Sequence, residues 1–104
     1  MGGAQALSIG LKHPELFSKV GSFGAALMIF GTGFDSWFPA EIGSSNQNVQ
    51  MYCGNEDFTR ALHPPFQKWL DSKNVKYGSY SHSGGHEWRV WIQDLEQFLT
   101  SPKA

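Results

Sequence analysis

Two side chains in this sequence are best equipped for chemistry, the carboxylate of Asp57 and the imidazole of His86. Each stands in a turn-rich stretch just past a run that reads as a β-strand. Asp57 closes Gly54-Asn55-Glu56-Asp57 after a run ending at Cys53, and His86 follows Ser83-Gly84-Gly85 after a run ending near Tyr80. In open parallel sheets, ligands bind beyond the carboxyl ends of the strands. One strand-helix-strand unit would therefore bring both residues to the same sheet edge. An acid beside a histidine orients the imidazole and stabilises its charged form. The imidazole can then take a proton from a hydroxyl nucleophile and return it to the leaving group. Alone, an Asp in such a turn is commonly a turn former and a His in a glycine loop is commonly solvated. Their joint placement on successive strand-to-helix loops carries the pairing. Glu56 is an alternative acid on these grounds alone.

The elements that must position this pair follow from periodicity. Residues 1–14 read as a helix with small residues in its first turn, ended by Pro14, which disfavours helical geometry at His13. Small side chains at a helix start permit close approach to a strand, so a strand is expected ahead of it. Residues 19–23 form a short buried strand, and residues 24–48 hold Gly, Ser and aromatics with no sustained period, a long loop or irregular insert. A second strand spans 49–53. A helix begins near Pro64 or Pro65, with Phe66, Trp69 and Leu70 as its core stripe. A third strand spans 75–80. After His86, Trp88, Trp91, Ile92, Leu95, Phe98 and Leu99 predict an amphipathic helix with an apolar face toward the core and Arg89, Gln93, Asp94 and Gln97 on the other face. Strands alternating with helices predict an α/β fold, a parallel sheet with helices on both faces.

Composition narrows the function classes. At 104 residues there is room for one small domain, and 40% hydrophobic with 16% charged residues is globular in character. Net charge is −1 and the basic residues form no run, which argues against a nucleic-acid partner. No apolar stretch reaches the roughly 20 residues of a membrane span. The single cysteine, Cys53, reads as a small buried apolar residue, since no Cys-His metal spacing accompanies it.

Three motifs, Met1-Gly2-Gly3-Ala4-Gln5-Ala6-Leu7, Cys53-Gly54-Asn55-Glu56-Asp57 and Ser83-Gly84-Gly85-His86-Glu87-Trp88-Arg89-Val90-Trp91, together resemble the esterase D-like family of α/β-hydrolases. That family includes enterochelin esterases, feruloyl esterases, S-formylglutathione hydrolases and mycolyltransferases. The resemblance covers nearly the whole chain and implies the C-terminal part of an α/β-hydrolase fold, with Asp57 as catalytic acid and His86 as general base. The order acid then histidine matches the family's order of nucleophile, acid, histidine. Met1-Gly2-Gly3 resembles the tail of the nucleophile elbow Gly-x-Ser-Met-Gly-Gly, whose serine would immediately precede Met1. By the same resemblance, the backbone N–H of Met1 would supply part of an oxyanion hole.

The implied reading is a domain, residues 1–104, that begins just after its nucleophile and is inactive alone. Ser22 has only the second glycine of an elbow, Ser83 is too near His86 in sequence, and Ser44 and Ser45 lie in the insert, so none is expected to serve. Phe34 and Trp37, with Phe30 and Phe38, either line a substrate pocket or simply pack. The complete protein is expected to hydrolyse a small-molecule or carbohydrate-linked ester without cofactor or metal. The alternatives are an acyltransferase on the same machinery, and a non-catalytic binding module that has lost the serine.

Overall fold

A computed structural model describes residues 2–31, 33–38, 42 and 47–101, without the side chain of Ile29. Met1, Ser44 and Ser45 lie outside the described residues. Helix α1 runs Gly2–Lys12, strand β1 Lys19–Phe23, a short helix α2 Phe34–Trp37 and β2 Asn48–Tyr52. Helix α3 runs His63–Ser72, β3 Tyr77–Tyr80 and α4 Trp88–Thr100. The expected order of strands and helices is the observed one, with boundaries shifted by a residue or two and with the short α2 added inside the stretch expected to be irregular. Pro64 and Pro65 sit in the first turn of α3, where a missing N–H costs nothing, and Asn74 adopts a left-handed φ of 59° just past its end.

The three strands form one parallel sheet in the order β1-β2-β3. Val20 pairs with Val49, and Met51 stands between Ser22 and Ser79. Side chains alternate across a strand, so this register sorts the sheet into two unlike faces. Val20, Val49 and Met51 point to one face and join Leu7 and Leu11 of α1 and Phe66 and Leu70 of α3 in the buried core. Of the stripe expected for α3, Phe66 and Leu70 are buried and Trp69 is partly buried against the core, and His63 is buried as well. Gly10 of α1 lies so close to β1 that a Cβ there would stand 2.6 Å from a methyl of Val20, which is why the helix needs a small residue at that point.

The aperiodic insert is built from rings. Leu27–Phe30 is a 3-10 turn, and Phe30 and Phe38 are buried against Phe66, with centroids 5.9 and 6.0 Å from it. Phe34 is 5.2 Å from Phe66 and 5.7 Å from Trp69. Ring packing of this sort has no sequence period, because the partners come from two separate segments.

The other face carries a stack of rings, Phe23 on Tyr52 at 5.2 Å and Tyr52 on Tyr80 at 5.0 Å, under α4. Phe98 of α4 sits over Gly21, where a Cβ would stand 2.7 Å from its ring. Lys19 Nζ lies 4.8 Å from the Phe98 centroid and donates to the carbonyls of Leu99 and Ser101, a cation on the C-terminal end of the helix.

The orientation of α4 corrects the sequence reading. Its buried residues are Val90 and Asp94, while Trp88, Ile92, Leu95 and Leu99 are exposed, Trp88 at 75%. Asp94, expected on the solvent face, is 2% exposed. The helix turns a carboxylate inward because a histidine meets it there, as described below, and most of the apolar stripe faces out. β1 has no strand on its outer side among the described residues. Two cavities, of about 450 and 210 Å³, lie between α1, β1 and α4 and share Ala6 and Gly21 in their walls. An uncovered apolar face beside an unpaired strand edge favours self-association.

The packing leads to a contrast between two truncations of apolar surface. Phe66→Ala should destabilise the chain by about 3–5 kcal/mol in urea unfolding, as a buried ring lost from a packed cluster does. Leu99→Gln should change stability by less than about 0.5 kcal/mol, while raising the concentration at which the chain stays monomeric in sedimentation. A large loss of stability for Leu99→Gln would show that α4 is packed the other way round.

Candidate active site

Asp57 and His86 stand on adjacent loops at the carboxyl ends of β2 and β3. The first loop is shaped by hydrogen bonds to the second. The N–H of Cys53 donates to the Tyr80 carbonyl at 3.1 Å, that of Asn55 to His82 at 2.8 Å, and that of Glu56 to Gly84 at 3.0 Å. These bonds extend the parallel ladder past the strand ends and fix the two loops in register. Glu56, the alternative acid, accepts from the Gly84 N–H at 3.1 Å and so braces the histidine loop from outside. Its carboxylate makes no hydrogen bond to His86.

Glycines make room where the loops converge. Gly54 meets the Gly84 carbonyl with no space for a Cβ, and Gly84 has a φ of 127°, a backbone region that side chains rarely adopt. Gly24, just beyond β1 with a φ of 61°, lies over the pair itself. A Cβ there would stand 2.7 Å from Asp57 Oδ2 and 3.0 Å from His86 Nδ1.

His86 Nδ1 lies 2.9 Å from Asp57 Oδ2 and 3.1 Å from Oδ1, so the ring donates its Nδ1–H to the carboxylate. The rest of the carboxylate is also satisfied. Thr59 donates to Oδ1 twice, from its N–H at 2.8 Å and its hydroxyl at 2.6 Å. Burial pushes the Asp57 carboxyl up, for the residue is only 5% exposed. The Thr59 hydroxyl, the Thr59 N–H and His86 together outweigh that and hold it below the usual carboxylate range. Asp57 is thus an anion at neutral pH, aimed at one nitrogen of the ring.

The ring is held from its sides as well. Phe58 lies 4.9 Å and Trp91 4.7 Å from it, the latter at 88°. His86 also lines the 450 Å³ cavity, together with Gly2 and Gly3 at the start of α1, Gly24 and Trp88. With Nδ1 committed to Asp57, Nε2 is the nitrogen left to exchange a proton with a group in that space.

The other residues singled out in the sequence fall elsewhere. Phe34 and Trp37 do not line this cavity: Phe34 packs on Phe66 and Trp69, and Trp37 packs on Phe30 with Lys12 Nζ 5.9 Å from its ring. Ser22 is buried on β1 with a hydroxyl that has no hydrogen-bond partner. Among the described residues, no serine hydroxyl is hydrogen-bonded to His86. Met1 is outside the described residues. Cys53 is buried, and burial pushes its thiol up, the behaviour of a packing residue and not of a nucleophile. No group of three or more potential metal ligands occurs among the described residues, and no described helix is long and apolar enough to cross a membrane.

Sequence reasoning missed a second acid-histidine pair, His82 with Asp94 at 2.6 Å. It also missed Thr59 as a double donor to Asp57. Thr59 had a weak signal, since a Thr two residues after an Asp is placed to answer it in a turn. His82 and Asp94 had none, because twelve residues across a loop and into a helix is not a spacing that any local rule reads.

The Thr59 hydroxyl is a direct handle on the acid. Thr59→Val should lower stability at neutral pH by about 1–3 kcal/mol, the range for a hydrogen bond to a charged group or its buried loss. A depressed carboxyl contributes stability above its unfolded pKa, and loses it as pH falls through the folded one. The variant raises the folded pKa of Asp57, so acid unfolding followed by circular dichroism should begin at higher pH than in wild type. An unchanged acid limb would contradict the assignment of Thr59 as its donor.

No family model and no curated protein matches this sequence. Solved structures do. An apo S-formylglutathione hydrolase from Staphylococcus aureus superposes with a TM-score of 0.78 at 17% identity, over 96% of this chain and 50% of its own. A substrate-bound fluorophosphonate-binding serine hydrolase from Staphylococcus aureus gives 0.77 at 17%, over 95% and 49%. A ferulic acid esterase gives 0.74 at 21%, over 93% and 45%. The first and third are of enzyme classes named by the motif resemblance. At these identities the likeness is one of fold, and it places the three-stranded sheet and its helices in a known architecture: the chain has the α/β-hydrolase fold and spans about half the length of the structures it matches.

Proposed function

We propose that this chain supplies the acid and the base of a serine ester hydrolase, and that the nucleophile belongs immediately ahead of α1. The observation that carries this reading is the Asp57–His86 pair, with Nδ1 on the carboxylate and the ring bordering a cavity walled by Gly2 and Gly3. A serine preceding α1 would stand at the mouth of that cavity. Likeness to an S-formylglutathione hydrolase, a serine hydrolase and a ferulic acid esterase supports the reaction class.

In this reading His86 Nε2 takes the proton from the serine hydroxyl as its oxygen attacks the ester carbonyl, and Asp57 stabilises the resulting imidazolium. The tetrahedral oxyanion is met by backbone N–H groups at the start of α1, that of Met1 among them, and by a second donor from elsewhere in the protein. His86 then protonates the departing alcohol. Water attacks the acyl-enzyme with His86 again as base, which releases the acid and restores the serine. An alcohol or sugar acceptor in place of water would make the same machinery an acyltransferase, and product analysis with competing acceptors separates the two. The substrate is a small-molecule or carbohydrate-linked ester. The chemistry calls for no cofactor.

Residues 1–104 alone should hydrolyse a nitrophenyl ester at no more than trace rates and show no acyl-enzyme burst, since a base without a nucleophile cannot form one. A fusion that places a family-matched N-terminal half ending in Gly-x-Ser directly before Met1 should restore turnover. In that fusion His86→Ala should lower kcat by roughly 10⁴ to 10⁶, and Asp57→Asn by roughly 10⁴. Enzymatic turnover by residues 1–104 alone, abolished by Ser22→Ala or Ser83→Ala, would overturn the proposal.

A further inference from the structure

We infer that His82 and Asp94 form a latch that positions the His86 loop, and that the latch is closed by the imidazolium form of His82. The functional meaning of this latch rests on the proposed role of His86, but the latch itself does not.

The segment from His82 to His86 contains Gly84 and Gly85, and Gly84 sits at a φ that favours glycine. Such a segment does not set its own geometry, so it must be held from outside. On one side the Asp57 loop holds it through the backbone bonds of Asn55 and Glu56. On the other side α4 holds it through His82. Nε2 of His82 lies 2.6 Å from Asp94 Oδ1, and Nδ1 lies 3.0 Å from the Ser83 carbonyl. A carbonyl can only accept, and so can an ionised carboxylate. A neutral imidazole has one N–H and an imidazolium has two, so only the charged ring answers both partners. Loss of the proton frees either the loop carbonyl or the carboxylate.

The stakes are raised by the burial of Asp94, 2% exposed, whose Oδ2 has no hydrogen-bond partner. A buried carboxylate that loses its cation is strongly destabilised. This also accounts for the inward turn of α4, which presents Asp94 beside Trp91 and Phe98 and leaves Trp88, Ile92, Leu95 and Leu99 exposed. The other titratable groups around His82 do not replace it. Glu56 is engaged with the Gly84 N–H, and Arg89 with Glu87 at 2.8 Å. Tyr52, near Asp94, is pushed up to about 12, chiefly by burial and further by Tyr80 and Asp94, and stays neutral. Tyr80 stacks on Tyr52. Asp94, then the Ser83 carbonyl, raises the pKa of His82 above the ordinary imidazole value against a smaller opposing effect of burial. A raised histidine stabilises the fold fully below its unfolded pKa, and that contribution disappears as pH rises through the folded one.

The test uses the 104-residue chain at micromolar concentration, with two exchange measurements read by mass spectrometry. Histidine C2 exchange gives the titration midpoint of His82, and amide exchange gives the protection of residues 83–87, corrected for the intrinsic pH dependence. Wild type should show a His82 midpoint above the ordinary value near ~6.5, and protection of the loop should fall with that same midpoint. Asp94→Asn keeps shape and an acceptor oxygen. It should lower the midpoint to the ordinary value or below and move the loss of protection with it, with far-UV circular dichroism unchanged. His82→Arg should keep the loop protected and remove the pH dependence. Loop protection that is flat across the His82 titration would overturn the latch. So would an Asp94→Asn variant that leaves midpoint and protection unchanged. If His82→Arg fails to fold, Asp94→Asn decides. Neither measurement reads activity, so failure of the latch and failure of the ester-hydrolase reading are separate outcomes.

Discussion

An ionised carboxylate can be buried only if donors replace the water it gives up, and the arrangement at Asp57 follows from meeting that condition. Three donors reach the carboxylate, two from Thr59 and one from His86. For Thr59 to deliver both, the chain after β2 must turn at once, which Gly54 and Asn55 permit. For His86 to deliver the third, the loop after β3 must fold back over that turn, which Gly84 and Gly85 permit. Gly24 must be bare to let the pair sit beneath it. A carboxylate satisfied in this way stays charged, and it engages Nδ1 of His86, leaving Nε2 as the nitrogen not held by Asp57.

The sheet serves that pair through its two unlike faces. One face is aliphatic and aromatic, sealed by α1, the insert and α3, and it supplies the main core. The other is a stack of three rings under a helix that turns a carboxylate inward. The two acid-histidine pairs are thus joined through the loop 82–86. Asp57 orients the end of that loop and Asp94 secures its beginning. The β1 edge and Phe98, Trp91 and Trp88 of α4 flank the two adjoining cavities, the larger of which reaches His86.

Much of this was legible from the residues alone, for reasons that differ between elements. Helix α3 was readable because two prolines mark its first turn and Phe66 and Leu70 fall at a helical interval. The placement of Asp57 and His86 on neighbouring loops followed from strand-helix alternation alone. The insert was not readable, because Phe30, Phe34 and Phe38 take their positions from Phe66 and Trp69, rings that lie some thirty residues away in the chain. The face of α4 was read only in part: Trp91 and Phe98 pack inward as expected, but Trp88, Ile92, Leu95 and Leu99 face out and Asp94 faces in. Its pattern is amphipathic, but amphipathicity says which residues share a face and not what the face meets. Here the sheet offers Gly21, a ring stack and His82, and Asp94 answers the last of these.

We propose His86 as the base for a hydroxyl placed just ahead of α1. The most direct measurement is covalent labelling with a fluorophosphonate, mapped by peptide mass spectrometry, on residues 1–104 and on the fusion that restores the upstream half. Residues 1–104 should take no label, and the fusion should take one, on the serine immediately preceding Met1, at a rate that collapses in His86→Ala. A label on Ser22, Ser83 or any other serine within residues 1–104, formed at the same rate with His86 replaced, would contradict it.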